Sequence, residues 1–337
     1  MDLATVWFVL IGVLLIGYAV LDGFDLGAGI LHLIVARSDR ERRSVIASIA
    51  PVWDGNEVWL LTAGGALFAA FPLVYATAFS GFYLALMLVL LGLIFRAVSL
   101  EVRDFEESPR WRATWDVVFA VASTVPALLF GVAIGNVLQG LPLELDGTYR
   151  GGLVGLLRPF PLVCGALAVA MFAMQGGAWL ALRTEAPIRN RARAAASAGA
   201  TAFGVLWLLV TVLALGMPHL RDLPFGPISL AVPLVAVVAL GTFFWALASR
   251  RDGIAFIASS SAIAGLLALL GLSLYPDILP AEDATRSLTI ANAASSDLTL
   301  TVMLIVALVG MPLVLAYTAF VYTRFRGRVA LDEAASY

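Results

Sequence analysis

Long apolar stretches, separated by short segments rich in arginine, follow one another along the whole chain. Of the 337 residues, 61% are hydrophobic and only 13% are charged, whereas soluble domains carry about 25% charged residues. An apolar α-helix of about 20 residues spans the hydrocarbon core of a membrane. The sequence therefore excludes a soluble globular fold and predicts an all-α, multi-pass membrane protein with no sizeable domain outside the membrane.

Hydropathy and arginine placement together predict nine transmembrane helices. If the N-terminus lies outside, 17 of the 21 basic residues fall on the inner side, as expected when positive charge remains in the cytoplasm. We therefore expect the N-terminus outside and the C-terminus in the cytoplasm. The apolar segments lie at about 6–35, 56–71, 74–97, 116–138, 160–182, 196–217, 228–248, 253–275 and 298–323.

The lengths of the loops predict how these helices are grouped. The two longest loops, 139–159 and 276–297, both face outward in this topology. They divide the chain into a four-helix bundle at 1–138, a second at 160–275, and a peripheral helix with a cytoplasmic tail at 298–337. Ser295, Ser296 and Asp297 can cap the last helix. The N-terminal apolar stretch follows an acidic residue and is too long for a signal peptide, so we expect it to be retained as the first span.

Composition excludes several classes of site. All 21 basic residues are arginine and the net charge is −2, so the chain lacks the broad basic surface that nucleic acids require. The single cysteine, Cys164, provides neither a disulfide framework nor a thiolate cluster. His32 and His219 are the only histidines, so we predict no metal site in this chain. We interpret His32 as a hydrogen-bonded residue between helices rather than a ligand.

Two aspartates interrupt the first apolar segment. A carboxylate at the centre of a membrane helix costs about 3 kcal/mol on insertion scales. Asp22 and Asp25 share one helical face with Tyr18 and His32, and nearby glycines allow another helix to approach that face. We expect this face to be packed inside the protein. Its carboxyls could relay protons, because adjacent buried carboxyls resist double ionisation; alternatively, one aspartate caps a kink or pairs with an arginine.

A second polar cluster opens the next helix in the motif WDGNEVW. Asp54 and Glu57 lie here between Trp53 and Trp59. Asp54 could cap the helix, with the tryptophans in the interfacial belt. Because both polar clusters fall on the inner side, they could instead form one continuous polar path, with Asp25 and Asp54 buried together.

The segments GYAVLDGFDLGAGIL and IAPVWDGNEVWLLTAGG resemble subunit II of the cytochrome bd family of quinol oxidases. The resemblance continues in IFRAVSLEVR, VAIGNVLQGLP and ASSDLTLTVML, and so covers nearly the whole chain in matching order. It implies a non-haem subunit with two four-helix bundles and an extra helix. It also implies a haem-bearing partner, subunit I, that holds two haems b and one haem d, oxidises quinol and reduces dioxygen to water.

Individual residues also match positions in that family. Asp25 and Asp54 match positions implicated in conducting protons from the cytoplasm to the oxygen-reducing haem, and Asp22 and Glu57 are adjacent candidates. Trp53 matches a position near a structural quinone of some members. Glu57 departs from the family where some members have Gln, which adds an ionisable group beside Asp54.

The resulting prediction is a stabilising and proton-conducting subunit of a bd-type terminal oxidase in the bacterial cytoplasmic membrane. Its expected partners are subunit I, small accessory subunits and membrane lipid, with quinol and dioxygen as substrates of the complex. None of the haems should be ligated by this chain. A stand-alone proton-coupled secondary transporter is the alternative, since midplane carboxylates and helical bundles also characterise that class; a pure assembly scaffold is a third.

Overall fold

The computed structural model describes residues 2–217 and 227–329. Within these ranges the chain is mainly helical, as predicted, with one small antiparallel hairpin of β1 (Asp277–Leu279) and β2 (Leu288–Thr289). The helices are α1 (Leu3–Val35), α2 (Asp39–Ile49), α3 (Trp53–Ala70), α4 (Pro72–Gly81), α5 (Tyr83–Val102), α6 (Pro109–Gln139), α7 (Gly152–Leu156), α8 (Pro159–Arg183), α9 (Ile188–Ala214), α10 (Pro227–Ala248), α11 (Asp252–Leu274) and α12 (Asp297–Arg324).

Eight helices in the described part of the chain are long and apolar enough to span a membrane, so the predicted count of nine is not confirmed. They are α1, α5, α6 and α8 to α12. The remaining candidate, α3, has 18 residues, but its polar first turns at Asp54, Asn56 and Glu57 lower its hydropathy. The predicted segment 74–97 is divided between α4 and α5 at Phe82, where Tyr149 of the loop 139–159 packs against Gly81.

The two long loops meet at one end of the molecule, which we call the loop end. The Leu141 N–H donates to the Pro280 carbonyl at 2.9 Å, and the Leu141 carbonyl accepts from the Glu282 N–H at 2.9 Å. A buried apolar cluster joins these loops to the starts of α1 and α12 and to the junction of α3 and α4. As expected, Ser296 caps α12, accepting from the Thr299 N–H at 3.3 Å.

The arginine-rich segments 37–43, 101–112, 183–193 and 250–252 lie at the opposite end, which we call the arginine end. Ion pairs connect them: Arg103 with Asp39 at 2.7 Å, Arg191 with Glu41 at 2.7 Å, and Arg193 with Asp252 at 2.6 Å. The amphipathic α2 packs there, with Val45 and Ile49 buried against the ends of α1 and α8. Hydrogen bonding of Val329 N–H to the Arg183 carbonyl, at 2.9 Å, attaches the segment after α12.

Helix α1 lies at the centre of the structure, packed against α3, α6, α8 and α11. The expected close approach at its glycines is confirmed. A Cβ atom at Gly27 would overlap the Phe172 carbonyl oxygen and would lie 2.7 Å from the Gly176 nitrogen, both in α8. One at Gly23 would lie 2.8 Å from the Phe172 ring. These contacts leave one face of α1 without access to lipid.

Candidate functional site

The polar face of α1 is buried, as the sequence predicts. Asp22, Asp25 and His32 are each 0% exposed, and Tyr18 is 4% exposed. Their spacing places them on one side of the helix, and each meets a different neighbour: α5 at Asp22, α3 at Asp25 and α6 at His32. Burying a polar side chain is tolerated when it finds such partners, so the neighbours determine what each residue can do.

Asp22 forms an ion pair inside the protein. The Arg96 Nη1 atom lies 2.7 Å from Asp22 Oδ1, and Arg96 Nη2 donates to Glu57 Oε1 at 2.7 Å. Arg96 is among the 17 basic residues counted on the inner side as loop residues, and for Arg96 that assignment is wrong. It is 1% exposed and belongs to α5, where the carboxylates of α1 and α3 hold it inside the bundle. For Asp22, the structural interpretation that one aspartate pairs with an arginine is therefore confirmed.

Asp25 has a different environment, because its partner is neutral. Its Oδ2 atom accepts a hydrogen bond from Asn56 Nδ2 at 2.7 Å, and Asn56 Oδ1 accepts from the Tyr322 hydroxyl at 2.9 Å. Asp25 Oδ1 is buried without a hydrogen-bond partner among the described residues. Thus α12, predicted to be peripheral, contributes the Tyr322 hydroxyl to a series of hydrogen bonds that ends at Asp25.

Charge counting distinguishes the members of this cluster. Asp22, Asp25 and Glu57 supply three carboxyl groups, and in the described part of the chain only Arg96 makes ion pairs with them. The cluster is therefore neutral when two of its three carboxyls hold protons. Arg96 compensates Asp22 directly and the Glu57 side chain is 21% exposed, so Asp25 is the fully buried carboxyl with no cation in contact.

Asp54 does not join this buried cluster. The expectation that Asp54 and Asp25 are buried together is wrong, since Asp54 is exposed on the surface of this chain. Successive helical residues are about 100° apart, so Asp54 points away from the side on which Asn56, two residues later, meets Asp25. Val52 is the N-cap residue of α3 and no side chain caps the helix, so the alternative that Asp54 is the cap is also wrong. Trp53 is half-buried.

A second charged network surrounds His32 at the arginine end. His32 Nε2 lies 2.7 Å from Asp116 Oδ1, which also accepts from Arg103 Nε at 2.7 Å. Arg42 donates to Asp116 Oδ2 at 2.9 Å. His32 is therefore hydrogen-bonded between helices, as interpreted from the sequence. Burial opposes the charge of Arg103, but its hydrogen bonds to Asp116 and Asp39 outweigh this and raise its pKa above the usual value.

The sequence of this chain is similar to those of known proteins over nearly its whole length. The sequence model of the family "Cytochrome bd terminal oxidase subunit II" matches residues 3–325. The chain belongs to this family. The cytochrome bd-I ubiquinol oxidase subunit 2 of Escherichia coli (strain K12) is 40% identical, covering 97% of this chain and 95% of that protein. The cytochrome bd ubiquinol oxidase subunit 2 of Bacillus subtilis (strain 168) is 32% identical, covering 100% and 99%.

A solved structure supports the same fold. The bd oxidase from Geobacillus thermodenitrificans superposes with a TM-score of 0.81 at 18% identity, covering 96% of this chain and 99% of that one. This chain is thus subunit II of a cytochrome bd terminal quinol oxidase, an oxidoreductase complex of the bacterial inner membrane. Membership of the family implies a catalytic partner, subunit I, and haem in the complex, and it disfavours a stand-alone transporter.

Among the described residues, the histidine and the cysteine side chains lie in contacts within this chain. Within the described ranges no group of three or more His, Cys, Asp or Glu is arranged to hold a metal ion. His32 Nε2 is engaged by Asp116, and Cys164 is buried in the apolar core. His219 lies outside the described residues.

Sequence reasoning missed several residues of the two networks, among them Arg96, Asp116, Asn56 and Tyr322. Arg96 and Asp116 occupy apolar or loop-like contexts in the sequence, and only the packing of α5 and α6 on α1 reveals their partners. Asn56 lies within the WDGNEVW motif, so its position two residues after Asp54 was a usable signal. Nothing in the sequence around Tyr322 indicates that α12 reaches Asn56.

Proposed function

We propose that this subunit II conducts protons from the cytoplasm to the oxygen-reducing site of subunit I, with Asp25 as the group that gains and loses the proton. The observation that supports this is the contrast between two neighbouring carboxyls. Asp22 contacts a guanidinium, whereas Asp25 is fully buried against a neutral amide. A proton on Asp25 can therefore exchange without breaking an ion pair.

The acidic residues on α3 and α1 suggest a route to Asp25. Asp54 and Glu57 are three residues apart on α3, which places them on the same side of that helix. Asp54 is exposed, Glu57 is half-buried, and Asp22 and Asp25 are fully buried, so the series leads inward. In our proposal water carries the proton between these groups. Asn56 orients Asp25, and Tyr322 in turn holds Asn56.

The finer description of the complex is also a proposal. We infer nine spans with the N-terminus outside, because α3 connects the arginine end to the loop end and so complements the eight helices identified by hydropathy. The two-bundle division at 1–138 and 160–275 follows the loops. Turnover in subunit I, with two haems b and one haem d, would then take protons from inside while quinol releases protons outside.

In this proposal, two features at the surface of this chain contact other molecules. Exposed Asp54 is accessible to the cytoplasm or to subunit I. Half-buried Trp53, which follows Val52 at the start of α3, provides an aromatic face for a structural quinone. Small accessory subunits would occupy other apolar faces, among them the exposed side of α12.

The test is the purified two-subunit complex carrying Asp25→Asn or Asp54→Asn. We expect oxygen uptake to fall by at least about tenfold in Asp25→Asn, since a positioned acid–base group contributes about 10²–10⁴ to a rate. The haem absorption spectrum and the subunit ratio should be unchanged. Asp297→Asn removes an exposed carboxyl at the loop end and is the matched control.

Turnover measured across pH separates this role from a structural one. If Asp25→Asn and Asp54→Asn both keep wild-type oxygen uptake at every pH, the proton relay is wrong, and the chain acts as a scaffold. If Asp25→Asn loses haem absorption as well, the residue also supports assembly, and Asp25→Glu, which keeps the carboxyl, becomes the test variant. The relay proposal then requires oxygen uptake in the assembled Asp25→Glu complex, and an assembled complex without uptake contradicts it.

A further inference from the structure

The arginine end is divided into two regions of very different net charge. Segments 37–43 and 101–112, together with Asp116 of α6, belong to the first half of the chain and contain seven arginines and seven aspartates or glutamates. Segments 183–193, 250–252 and 324–329, from the second half, contain nine arginines and only two carboxylates, Glu185 and Asp252. Asp332 and Glu333 follow in the sequence, outside the described residues, and would still leave five excess positive charges.

The topology signal of membrane proteins does not account for this difference. Retention of positive charge in the cytoplasm predicts arginines in both halves, and both halves have them. In the first half, however, at least four of the seven arginines form ion pairs with Asp39, Asp104 and Asp116, and carboxylates equal arginines in number. In the second half Asp252 pairs with Arg193, and most of the other arginines have no carboxylate in reach among the described residues.

We call the exposed arginines at 250–251 and 324–328 the basic surface. Arg250, Arg326 and Arg328 are exposed and form no ion pair within the described residues. Both parts are attached to the helices that flank the turn between α8 and α9. The Arg193–Asp252 pair connects that turn region to 250–251, and the bond from Val329 N–H to the Arg183 carbonyl connects it to 324–328.

The turn at Arg250 shows an independent feature of this surface. Arg251 N–H donates to the Ala246 carbonyl at 2.8 Å and Arg250 N–H to the Leu247 carbonyl at 3.1 Å, which is the Schellman pattern at the end of α10. Arg250 has φ +54°, in the left-handed region where glycine is usual because a Cβ atom is unfavourable there. An arginine side chain thus occupies a position at which the backbone favours glycine.

An exposed tryptophan marks the depth of this surface in the membrane. The guanidinium of Arg251 lies 5.1 Å from the centre of the Trp245 ring, and Trp245 is 50% exposed. Tryptophan side chains prefer the level of the lipid headgroups. The arginines of the basic surface therefore lie where phosphate groups of the membrane are found, and clustered arginines next to membrane helices attract anionic lipid.

We propose that the basic surface binds the phosphate headgroups of anionic phospholipids. Guanidinium groups bind phosphate with paired hydrogen bonds, and a surface of five arginines with few carboxylates nearby favours anionic over zwitterionic headgroups. The first half, whose charges are internally balanced, should show no such preference. This proposal is independent of the proton route, because none of its residues belongs to the Asp25 cluster.

The experiment uses the purified complex in detergent, with dioleoylphosphatidylglycerol or dioleoylphosphatidylcholine added. Native mass spectrometry counts the lipids retained, and the thermal unfolding midpoint is measured in parallel. We expect several-fold more phosphatidylglycerol than phosphatidylcholine on the wild type, and loss of at least half of that preference in Arg326→Gln/Arg328→Gln. Arg37→Gln/Arg110→Gln removes two exposed charges from the balanced half and is the matched control, with no change expected.

Arg250→Gly gives a second, opposite readout. Glycine adopts the left-handed conformation without strain, so the thermal unfolding midpoint in lipid-free detergent should rise. The preference for phosphatidylglycerol should fall, because a positive charge is lost. The proposal is overturned if the preference survives in Arg326→Gln/Arg328→Gln, or if the control variant loses it equally. It is also overturned if inorganic phosphate alone raises the midpoint as much as the lipid does, or if the variants lose an accessory protein but keep the lipid preference.

Discussion

Replacing Arg96 by glutamine tests how strongly the buried ion pair holds α1 to α5. Arg96 and Asp22 are 1% and 0% exposed and their charged atoms are 2.7 Å apart. Removing one partner of a buried pair leaves the other charge without compensation, which typically costs about 3–5 kcal/mol. We expect Arg96→Gln to lower the free energy of unfolding by that amount. Glu57, with 21% of its side chain exposed, can still be hydrated and contributes less.

A double-mutant cycle measures the interaction energy between Arg96 and Asp22. Asp22→Asn/Arg96→Gln removes both charges, so its cost should be smaller than the sum of the single variants by about 1–3 kcal/mol. Denaturant titration of the purified complex, followed by tryptophan fluorescence, measures each value. The exposed Arg110→Gln should stay within about 0.5 kcal/mol of the wild type. Strict additivity of the two single variants would refute the argument.

Three further perturbations follow from the structure. Gly27→Val should reduce the yield of monodisperse complex in size-exclusion chromatography, because the new Cβ atom meets the α8 backbone, which cannot move aside; Gly12→Val, with nothing within 4 Å, is the control. Asp116→Asn should lower the free energy of unfolding by about 3–5 kcal/mol in the same denaturant titration, because it leaves the charges of Arg42 and Arg103 without their buried carboxylate. Burial opposes ionisation of Glu41, but its hydrogen bond from a backbone N–H and its pair with Arg191 outweigh this and lower its pKa below the usual 4.5. Its stabilisation is therefore present above pH 4.5 and lost as the pH falls through the lowered pKa, so Glu41→Gln should destabilise by about 1 kcal/mol at pH 7 and match the wild type in acid.

The two carboxyls of α1 show that similar residues acquire different chemistry from their neighbours. Asp22 and Asp25 are three residues apart on the same helix and equally buried. One faces a guanidinium of α5 and the other an amide of α3. The difference is set by helices that are distant in sequence, so the roles proposed for the two residues could not be separated before the structure was known.

Local patterns in the sequence were sufficient for the class of the fold and for the shared polar face of α1. Apolar runs of membrane-spanning length require helices, since a backbone in lipid must satisfy its own hydrogen bonds. The period of a helix places Tyr18, Asp22, Asp25 and His32 on one face, and the expense of charge in lipid requires that face to be covered. These conclusions depend on near neighbours in the chain, and the structure confirms them.

Only the tertiary structure decided which groups meet on that face. In the structure, Arg96 lies inside the bundle and Asp54 lies on the surface of this chain. Tyr322 contacts Asn56, which is 266 residues away in the sequence. Burial of an ion pair or an amide depends on how helices pack and rotate about their axes. That rotation is set by contacts distributed over several helices, such as the close crossing of Gly27 and Gly176, and no single segment of the sequence contains it.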